Sequence, residues 1–466
     1  MLPSRKSFYE YLSSFASASP EKRIIGDQDG WLTAGKVLML AETLACKFQR
    51  DGIQPGDYIA LHAERNARGA LALLGLRLAG AVAVLIDPRE DIQKVLNSCD
   101  PPISVKGIIK ETDYPFTGKT MPFHPVQYSS KNPAFIIFTS GSTGKRKAVV
   151  LSEYNLINNL LDSEPLGNYA LNDIALGVLP PAHVFGLVLL AGTLVLGYSL
   201  YFPESTDTPA VLSAIEKEQI TRMNGVPALY LKMAEEKAAF DLHTLRAGFI
   251  GGGPVSEKQF AFIEEALGMT LIPVYGMTEC IGISCASWKD PQAVRAGGVG
   301  QFYSMNTGKI LLGNGDEAPA GEEGEICVRG PSRMLGYYRQ PMPAEELLHT
   351  GDLGWLDENG VLHISGRKKD IVIRNGNNLS CRKIEEALLS LPDVKEAAVV
   401  SLPDEQQGEV PAAMIAGHVD LTVLKKLLQK NELPAFFIPV DALPMTASGK
   451  PDKIKIRDEL TKWKNG

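Results

Sequence analysis

Phe135-Ile136-Ile137-Phe138-Thr139-Ser140-Gly141-Ser142-Thr143-Gly144-Lys145-Arg146-Lys147 is the stretch that decides the reading of this chain. Phe135–Phe138 has the composition of a short buried strand, and the loop behind it crowds four hydroxyls and two glycines ahead of three cations. A loop of that make-up turns backbone N–H groups and hydroxyls toward one centre while the lysines add charge, which is how a polyphosphate is held. It is not the usual nucleotide-triphosphatase loop, which spaces its glycines by four residues and follows its lysine with Ser or Thr. Here only Ser142 and Thr143 separate Gly141 from Gly144, and Arg146 follows Lys145. Taken alone, the same residues also read as a Gly/Ser-rich surface turn.

Working outward, 466 residues exceed what one core supports, so two or three domains are expected. Apolar and charged contents of 45% and 22% are those of an ordinary globular protein, and the net charge of −7 excludes the basic stripe of a nucleic-acid binder. An acidic chain that binds a polyanion must concentrate its positive charge, which gives weight to Lys145-Arg146-Lys147. The six cysteines are scattered without two-residue spacing, which points to free thiols in a reducing, cytoplasmic setting rather than to disulfides or a zinc site. Val184–Phe202 carries no charge and approaches membrane-spanning length. Its three glycines, the preceding Pro180-Pro181 and His183, and the lack of basic flanks favour a buried helix and strand instead, so no membrane span is expected.

Leu38, Leu40, Ala41, Leu44, Ala45 and Phe48 predict one helix face, and Ala70, Leu71, Leu73, Leu74 and Leu76 another. Tyr58–Leu61 and Ala81–Ile86 predict strands, the second stopped by Asp87-Pro88. Strands alternating with helices of this length predict an α/β fold with largely parallel pairing. A connection with short elements is expected over 87–131. The charged joint Ser365-Gly366-Arg367-Lys368-Lys369-Asp370 lies between two strand-like runs. Beyond it, the helix face Ile384, Ala387, Leu388, Leu391, the strand Ala397–Val400 and the helix Val423–Leu428 predict a small C-terminal unit.

Several further clusters carry chemistry. Tyr275-Gly276-Met277-Thr278-Glu279 follows an apolar run, and an acid at a strand end suits Mg2+, which takes only one or two protein carboxylates. Thr278 can bond a phosphate oxygen and Tyr275 offers a flat face to a base. Gly251-Gly252-Gly253 gives bare backbone at another strand end, where a flat ligand can come close. Thr350-Gly351-Asp352 offers a carboxylate to two ribose hydroxyls, and Ser448-Gly449-Lys450 puts a point charge near the chain end. His183 has no second His or Cys at ligand spacing, so a pocket role is expected rather than a metal role. The dinucleotide fingerprint and the hydrolase nucleophile elbow are both missing.

In this order and spacing, Thr139–Gly144 with Lys147, Tyr275–Glu279, Thr350–Asp352, Gly366-Arg367 with Asp370, and Gly449-Lys450 resemble the adenylate-forming superfamily over residues 30–456. That superfamily comprises acyl-CoA synthetases, peptide-synthetase adenylation domains and luciferases, and the chain is most like an acyl-CoA synthetase. The resemblance implies a large N-terminal domain of mixed sheets and helices (1–366) and a small mobile α+β C-terminal domain (367–466). It implies that Thr139, Ser140, Gly141, Ser142, Thr143, Gly144 and Lys147 cradle the ATP phosphates, and that Gly252, Gly253 and Tyr275 flank adenine. Asp352 and Arg367 would hold ribose, Thr278 and Glu279 would serve phosphate and Mg2+, and Lys369 would be the hinge. Lys450 would bridge the attacking carboxylate and the α-phosphate, with His183 lining the acyl pocket. The implied reaction joins a small carboxylic acid, through its adenylate, to the thiol of coenzyme A. A carrier-protein phosphopantetheine is the alternative acceptor, and a non-catalytic nucleotide-binding protein the alternative of another class. Departures are Arg146 and Ala148, where Pro and Gly are usual, and Cys381 and Lys383, where Pro and Glu are usual.

Overall fold

The computed structural model describes residues 3–110, 123, 125–140, 145–446 and 451–465. Among these the strands form four sheets. The seven-stranded sheet runs, in space, Gln340–Pro341, Gly336–Tyr337, Arg146–Ser152, Pro133–Ser140, Val82–Ile86, Tyr58–His62, Gly107–Ile109. Its last four members pair in parallel, and Val82–Ile86 is buried along its whole length, as the apolar run in the sequence requires. Pro133–Ser140 and Arg146–Ser152 instead form an antiparallel hairpin, in register Thr139↔Lys147 and Ser140↔Arg146. The hydroxyl- and glycine-rich loop therefore joins the two strands of a hairpin.

The nine-stranded sheet has a parallel interior built from Thr270–Met277, Ala247–Ile250, Arg222–Gly225, Ile174–Leu176, Ser199–Tyr201 and Arg23–Asp27. Antiparallel strands close both of its edges. The uncharged segment divides into the helix Val184–Val195 and the strand Ser199–Tyr201, both largely buried. Among the described residues no helix is long and apolar enough to cross a membrane.

A four-stranded antiparallel sheet (Thr307–Leu311, Gly324–Arg329, Leu348–Leu356, Leu362–Arg367) completes the large domain. Across 368–370 the chain passes into a five-stranded sheet, in which Gly408–Gly417 pairs with Ile371–Arg374, Val394–Asp404 and Phe436–Val440. Its two faces are covered separately, one by Ile384, Leu388 and Leu424, the other by Ile456 and Leu460. The smaller domain thus carries its own core. The fold is mixed α/β with a large N-terminal and a small C-terminal domain.

The helix Ala67–Leu78 shows how the large domain is locked. Every residue in it except Arg68 is buried, as expected of a helix apolar on all sides, yet one of them is Arg77. A buried guanidinium needs a carboxylate. Arg77 Nε donates to Glu153 Oε1 at 2.9 Å, and Glu153 also accepts from Tyr128 Oη and from the backbone N–H of Phe8, both at 2.9 Å. Burial and the Glu153 charge push the Tyr128 phenol well above its ordinary value. Glu153 opens the helix Glu153–Ser163 that follows the loop-bearing hairpin, so one carboxylate fixes that hairpin against two helices. Glu153→Ala is expected to cost about 3–5 kcal/mol in urea unfolding, since it strands a buried cation. Replacing Arg77 and Glu153 together by Met and Leu is expected to cost less than the single change.

Candidate active site

The hairpin made by Thr270–Met277 and Ile281–Cys285 carries the central groups. Its register slips between Tyr275 and Gly276. A Cβ on Gly276 would lie 1.9 Å from the Ile281 carbonyl oxygen, and Ile281 itself sits at φ +54°, a region that β-branched residues avoid. This tight, strained return presents Thr278 and Glu279. Glu279 is buried; its carboxylate accepts from Tyr337 Oη at 3.1 Å, and its carbonyl accepts from the N–H of Met334 at 2.8 Å. Tyr337 lies on the seven-stranded sheet, opposite Val149, and Lys147 Nζ sits 4.8 Å from its ring centroid and 3.4 Å from its hydroxyl. Lys147 and Glu279 therefore share one phenol. Burial first, and then the Glu279 charge, pushes that phenol well up.

Four residues before Glu279, Tyr275 Oη donates to Asp352 Oδ2 at 2.7 Å. Arg367 Nε donates to the other oxygen, Oδ1, at 2.9 Å, because Asp352 and Arg367 are cross-strand partners. The Asp352 N–H donates to Thr350 Oγ1, whose own hydroxyl donates to the Ile326 carbonyl. Burial, with the Asp352 carboxylate second, raises the Tyr275 phenol far above its usual range. Asp352 is buried while the Arg367 side chain is largely exposed, so the pair faces outward from a fixed base.

The cation cluster is rearranged relative to the sequence expectation. Both terminal guanidinium nitrogens of Arg146 bond the carboxylate of Glu90, and Lys145 pairs with Asp100 at 2.6 Å on the open surface. Of the three cations, Lys147 is the one held beside Glu279. Thr139 and Ser140 end the strand before the loop. Gly141, Ser142, Thr143, Gly144 and Lys450 lie outside the described residues.

Gly252 adopts φ +84° just past the strand Ala247–Ile250, which runs parallel to the Tyr275 strand. A Cβ on Gly251 would come 2.7 Å from the Val274 carbonyl, so the glycines allow a close approach of the two strand ends, with Gly253 next in line. His183 is the N-cap of Val184–Val195. The Asp87 carboxyl, which follows the strand Val82–Ile86, is held low chiefly by its bonds to Arg89. Lys369 occupies an exposed turn between the four- and five-stranded sheets. The Met445↔Pro451 bridge closes the base of the Lys450 segment, and Lys453 Nζ reaches Asp370 and Glu385, each at 3.0 Å, tying that base to the same turn.

The structure thus assembles Lys147, Glu279, Tyr275, Asp352 and Arg367 along one hairpin. A cation, a recessed carboxylate and an outward Asp–Arg pair can engage the anionic, metal-bound and hydroxyl-bearing parts of one ligand. Tyr337, Glu90 and Lys453 escaped the sequence reading. Each acts through a partner at long sequence separation, 190 residues for Tyr337 and Lys147, and no local pattern marks them.

The family model described as "AMP-binding enzyme" matches residues 12–338, and that of the "AMP-binding enzyme C-terminal domain" matches 383–450. A 2-succinylbenzoate–CoA ligase of Bacillus cereus (strain Q1) is 30% identical over 86% of this chain and 88% of its own length. The acyl-CoA ligase sidI of Aspergillus fumigatus is 33% identical over 73% of this chain, and the match spans only 64% of that protein. The o-succinylbenzoate CoA synthetase of Bacillus subtilis, solved with its acyl-adenylate, superposes with a TM-score of 0.84 at 25% identity over 98% of both chains. ATP-bound MatB from Rhodopseudomonas palustris shares the fold, with a TM-score of 0.88 at 24% identity over 98% of this chain and 99% of its own. Asp352, Arg367 and Lys369 fall between the two family matches.

The hairpin geometry predicts a contrast between two glycines. Gly276→Ala is expected to cost about 3 kcal/mol or more in urea unfolding, because its Cβ meets backbone. Gly253→Ala, whose Cβ would find its nearest neighbour at 3.7 Å, is expected to stay within about 1 kcal/mol of the parent.

Proposed function

This chain belongs to the AMP-binding enzyme family, and from that premise we propose that it is an AMP-forming acid–thiol ligase. It activates a carboxylic acid with ATP and passes the acyl group to the thiol of coenzyme A. The observation that carries this reading is the placement of Lys147 and Glu279 on one phenol, a few residues from the Tyr275–Asp352–Arg367 set. The groups proposed for the phosphates and those proposed for the ribose are then carried on one scaffold.

In the first half-reaction a carboxylate oxygen attacks the α-phosphorus of ATP and the bond to the β-phosphate bridging oxygen breaks, releasing pyrophosphate. In the second, the sulfur of the thiol attacks the acyl carbonyl and AMP leaves. The chain does little covalent work; it positions two anions and offsets their repulsion. We assign Thr139 to Gly144 and Lys147 to the phosphates, Thr278 to a phosphate oxygen, and Gly252, Gly253 and Tyr275 to the adenine. Asp352, oriented by Tyr275 and Arg367, takes the ribose hydroxyls. Glu279 fits Mg2+ in that it offers one recessed carboxylate with a neutral hydroxyl as its partner, and a bound Mg2+ would neutralise phosphate charge there.

We further propose the domain boundary at 366/367, with Lys369 in the hinge and Lys450 brought to the α-phosphate and attacking carboxylate by the small domain. The change of sheets across 368–370 and the Lys453–Asp370 tie support that reading. Rotation of the small domain would then withdraw Lys450 and admit the thiol. His183 and the apolar helix behind it favour an apolar acyl or aryl acid, in fatty-acid metabolism or a related route. Six free, buried cysteines suit the cytoplasm.

A pyrophosphate-release screen over short, medium, long and aromatic acids is expected to find at least one that supports AMP formation, and no turnover with any of them would count against an enzyme. With that acid, Lys450→Ala is expected to slow adenylate formation about 10²–10³-fold, the scale of losing one charge at a developing anion. An unchanged rate would remove Lys450 from the mechanism. Mass analysis with coenzyme A and with a panel of carrier proteins then identifies the acceptor. That comparison matters because Cys381 is buried and Lys383 pairs with Glu432 where the family pattern has Pro and Glu.

A further inference from the structure

The antiparallel strands Gly324–Arg329 and Leu348–Leu356 bring together three side chains outside the site described above. Cys327 and His349 are direct cross-strand partners, and Glu325, two residues before Cys327 across a register shift, also reaches His349. His349 Nδ1 is 2.9 Å from Glu325 Oε2 and 3.3 Å from Cys327 Sγ, and all three donor atoms lie within 4.8 Å of one another. Tetrahedral bonds of about 2.0–2.3 Å place ligand atoms roughly 3.3–3.8 Å apart, so small side-chain rotations bring this triad to metal geometry. Among the described residues it is the one His/Cys/acid group with such spacing.

We propose that Glu325, Cys327 and His349 form a site for a thiophilic divalent cation, with Zn2+ the best match. A thiolate, an imidazole and a carboxylate are the zinc donor set, whereas Mg2+ or Ca2+ would take oxygen alone. Three protein ligands leave a fourth position for water. The thiol is fully buried, but the His349 side chain is 60% exposed and provides the way in. The oxygen of Glu325 that faces His349 also holds Lys368 Nζ at 2.6 Å, and the other oxygen accepts the Gly351 N–H. Metal and Lys368 therefore compete for one oxygen, and occupation of the site bears on the strand that carries Asp352 and on the turn at Lys369. This site does not depend on the proposed ligase reaction.

The test is titration of the full chain, kept reduced, with Co2+ and then Zn2+. One equivalent of Co2+ is expected to give an intense sulfur-to-cobalt absorption that Zn2+ displaces. Cys327→Ser is expected to abolish that absorption, and His349→Ala, at a largely exposed side chain, to weaken binding at least about tenfold. Lys368→Met is expected to tighten it about two- to fivefold, the worth of one half-exposed ion pair. An absorption that fails to appear, or one unchanged in both Cys327→Ser and His349→Ala, overturns the proposal.

Discussion

Two tyrosine hydroxyls, that of buried Tyr275 and that of half-buried Tyr337, each closed on a carboxylate, set the shape of the candidate site. Tyr337 to Glu279 joins the seven-stranded sheet to the nine-stranded one, and Tyr275 to Asp352 joins the nine-stranded sheet to the four-stranded one. A buried phenol must find an acceptor, and leaving either partner unmet costs about 1–3 kcal/mol. Both carboxylates are buried, so the Tyr337–Glu279 bond is enforced from the acid and the Tyr275–Asp352 bond from both ends. Three sheets that are far apart in the chain thereby meet along one hairpin.

That hairpin is an awkward piece of backbone. Ile281 in the left-handed region costs about 1–3 kcal/mol, and such conformations persist only where their surroundings over-determine them. The surroundings here are specific. Asn159 Nδ2 donates to the Gly282 carbonyl and to Ser332 Oγ, and the Met334 N–H donates to the Glu279 carbonyl. Asn159 belongs to the helix whose first residue, Glu153, takes up the buried Arg77. The strain beside Glu279 and the buried ion pair in the core are thus connected through one helix.

Much of this was legible in the sequence because it is periodic or local. The helix face around Leu44 and the buried strand at Val82–Ile86 appear where apolar spacing places them, while the helix around Leu73 is buried on all sides rather than on one face. The uncharged segment after His183 divides into helix and strand around Gly197, which takes φ +76°, while Gly186 and Gly192 stay inside the helix. Family order made Lys147, Tyr275, Glu279, Asp352 and Arg367 readable as one set. What stayed hidden was pairing at a distance. Arg146 counted toward a local positive cluster because three cations are adjacent, but Glu90, 56 residues upstream, neutralises it. Tyr337 had no motif at all, since a tyrosine beside a tyrosine says nothing about which strand will bring it to Glu279. The parallel sheets were expected, whereas the antiparallel hairpin around the glycine loop was not, because the turn chemistry of 139–145 is compatible with either exit.

Arg146 illustrates a wider constraint. In a chain with a net charge of −7, a cation fixed in the fold tends to be claimed by a carboxylate before any ligand arrives. Lys145 is held by Asp100, Lys368 by Glu325, Lys383 by Glu432, and Lys453 by both Asp370 and Glu385. Lys147 is placed differently, over the face and hydroxyl of Tyr337, where the phenol separates it from Glu279. A neutral spacer keeps the lysine and the carboxylate from collapsing into an ion pair, so each remains available to a ligand of the opposite sign. Under the proposed reaction, a second lysine has to meet both the attacking carboxylate and the α-phosphate. Built permanently into this acidic surface, it would be neutralised as Lys453 is. Supplying it from a separate domain, on the segment whose base Lys453 anchors, lets its charge arrive together with the two anions it must bring into contact.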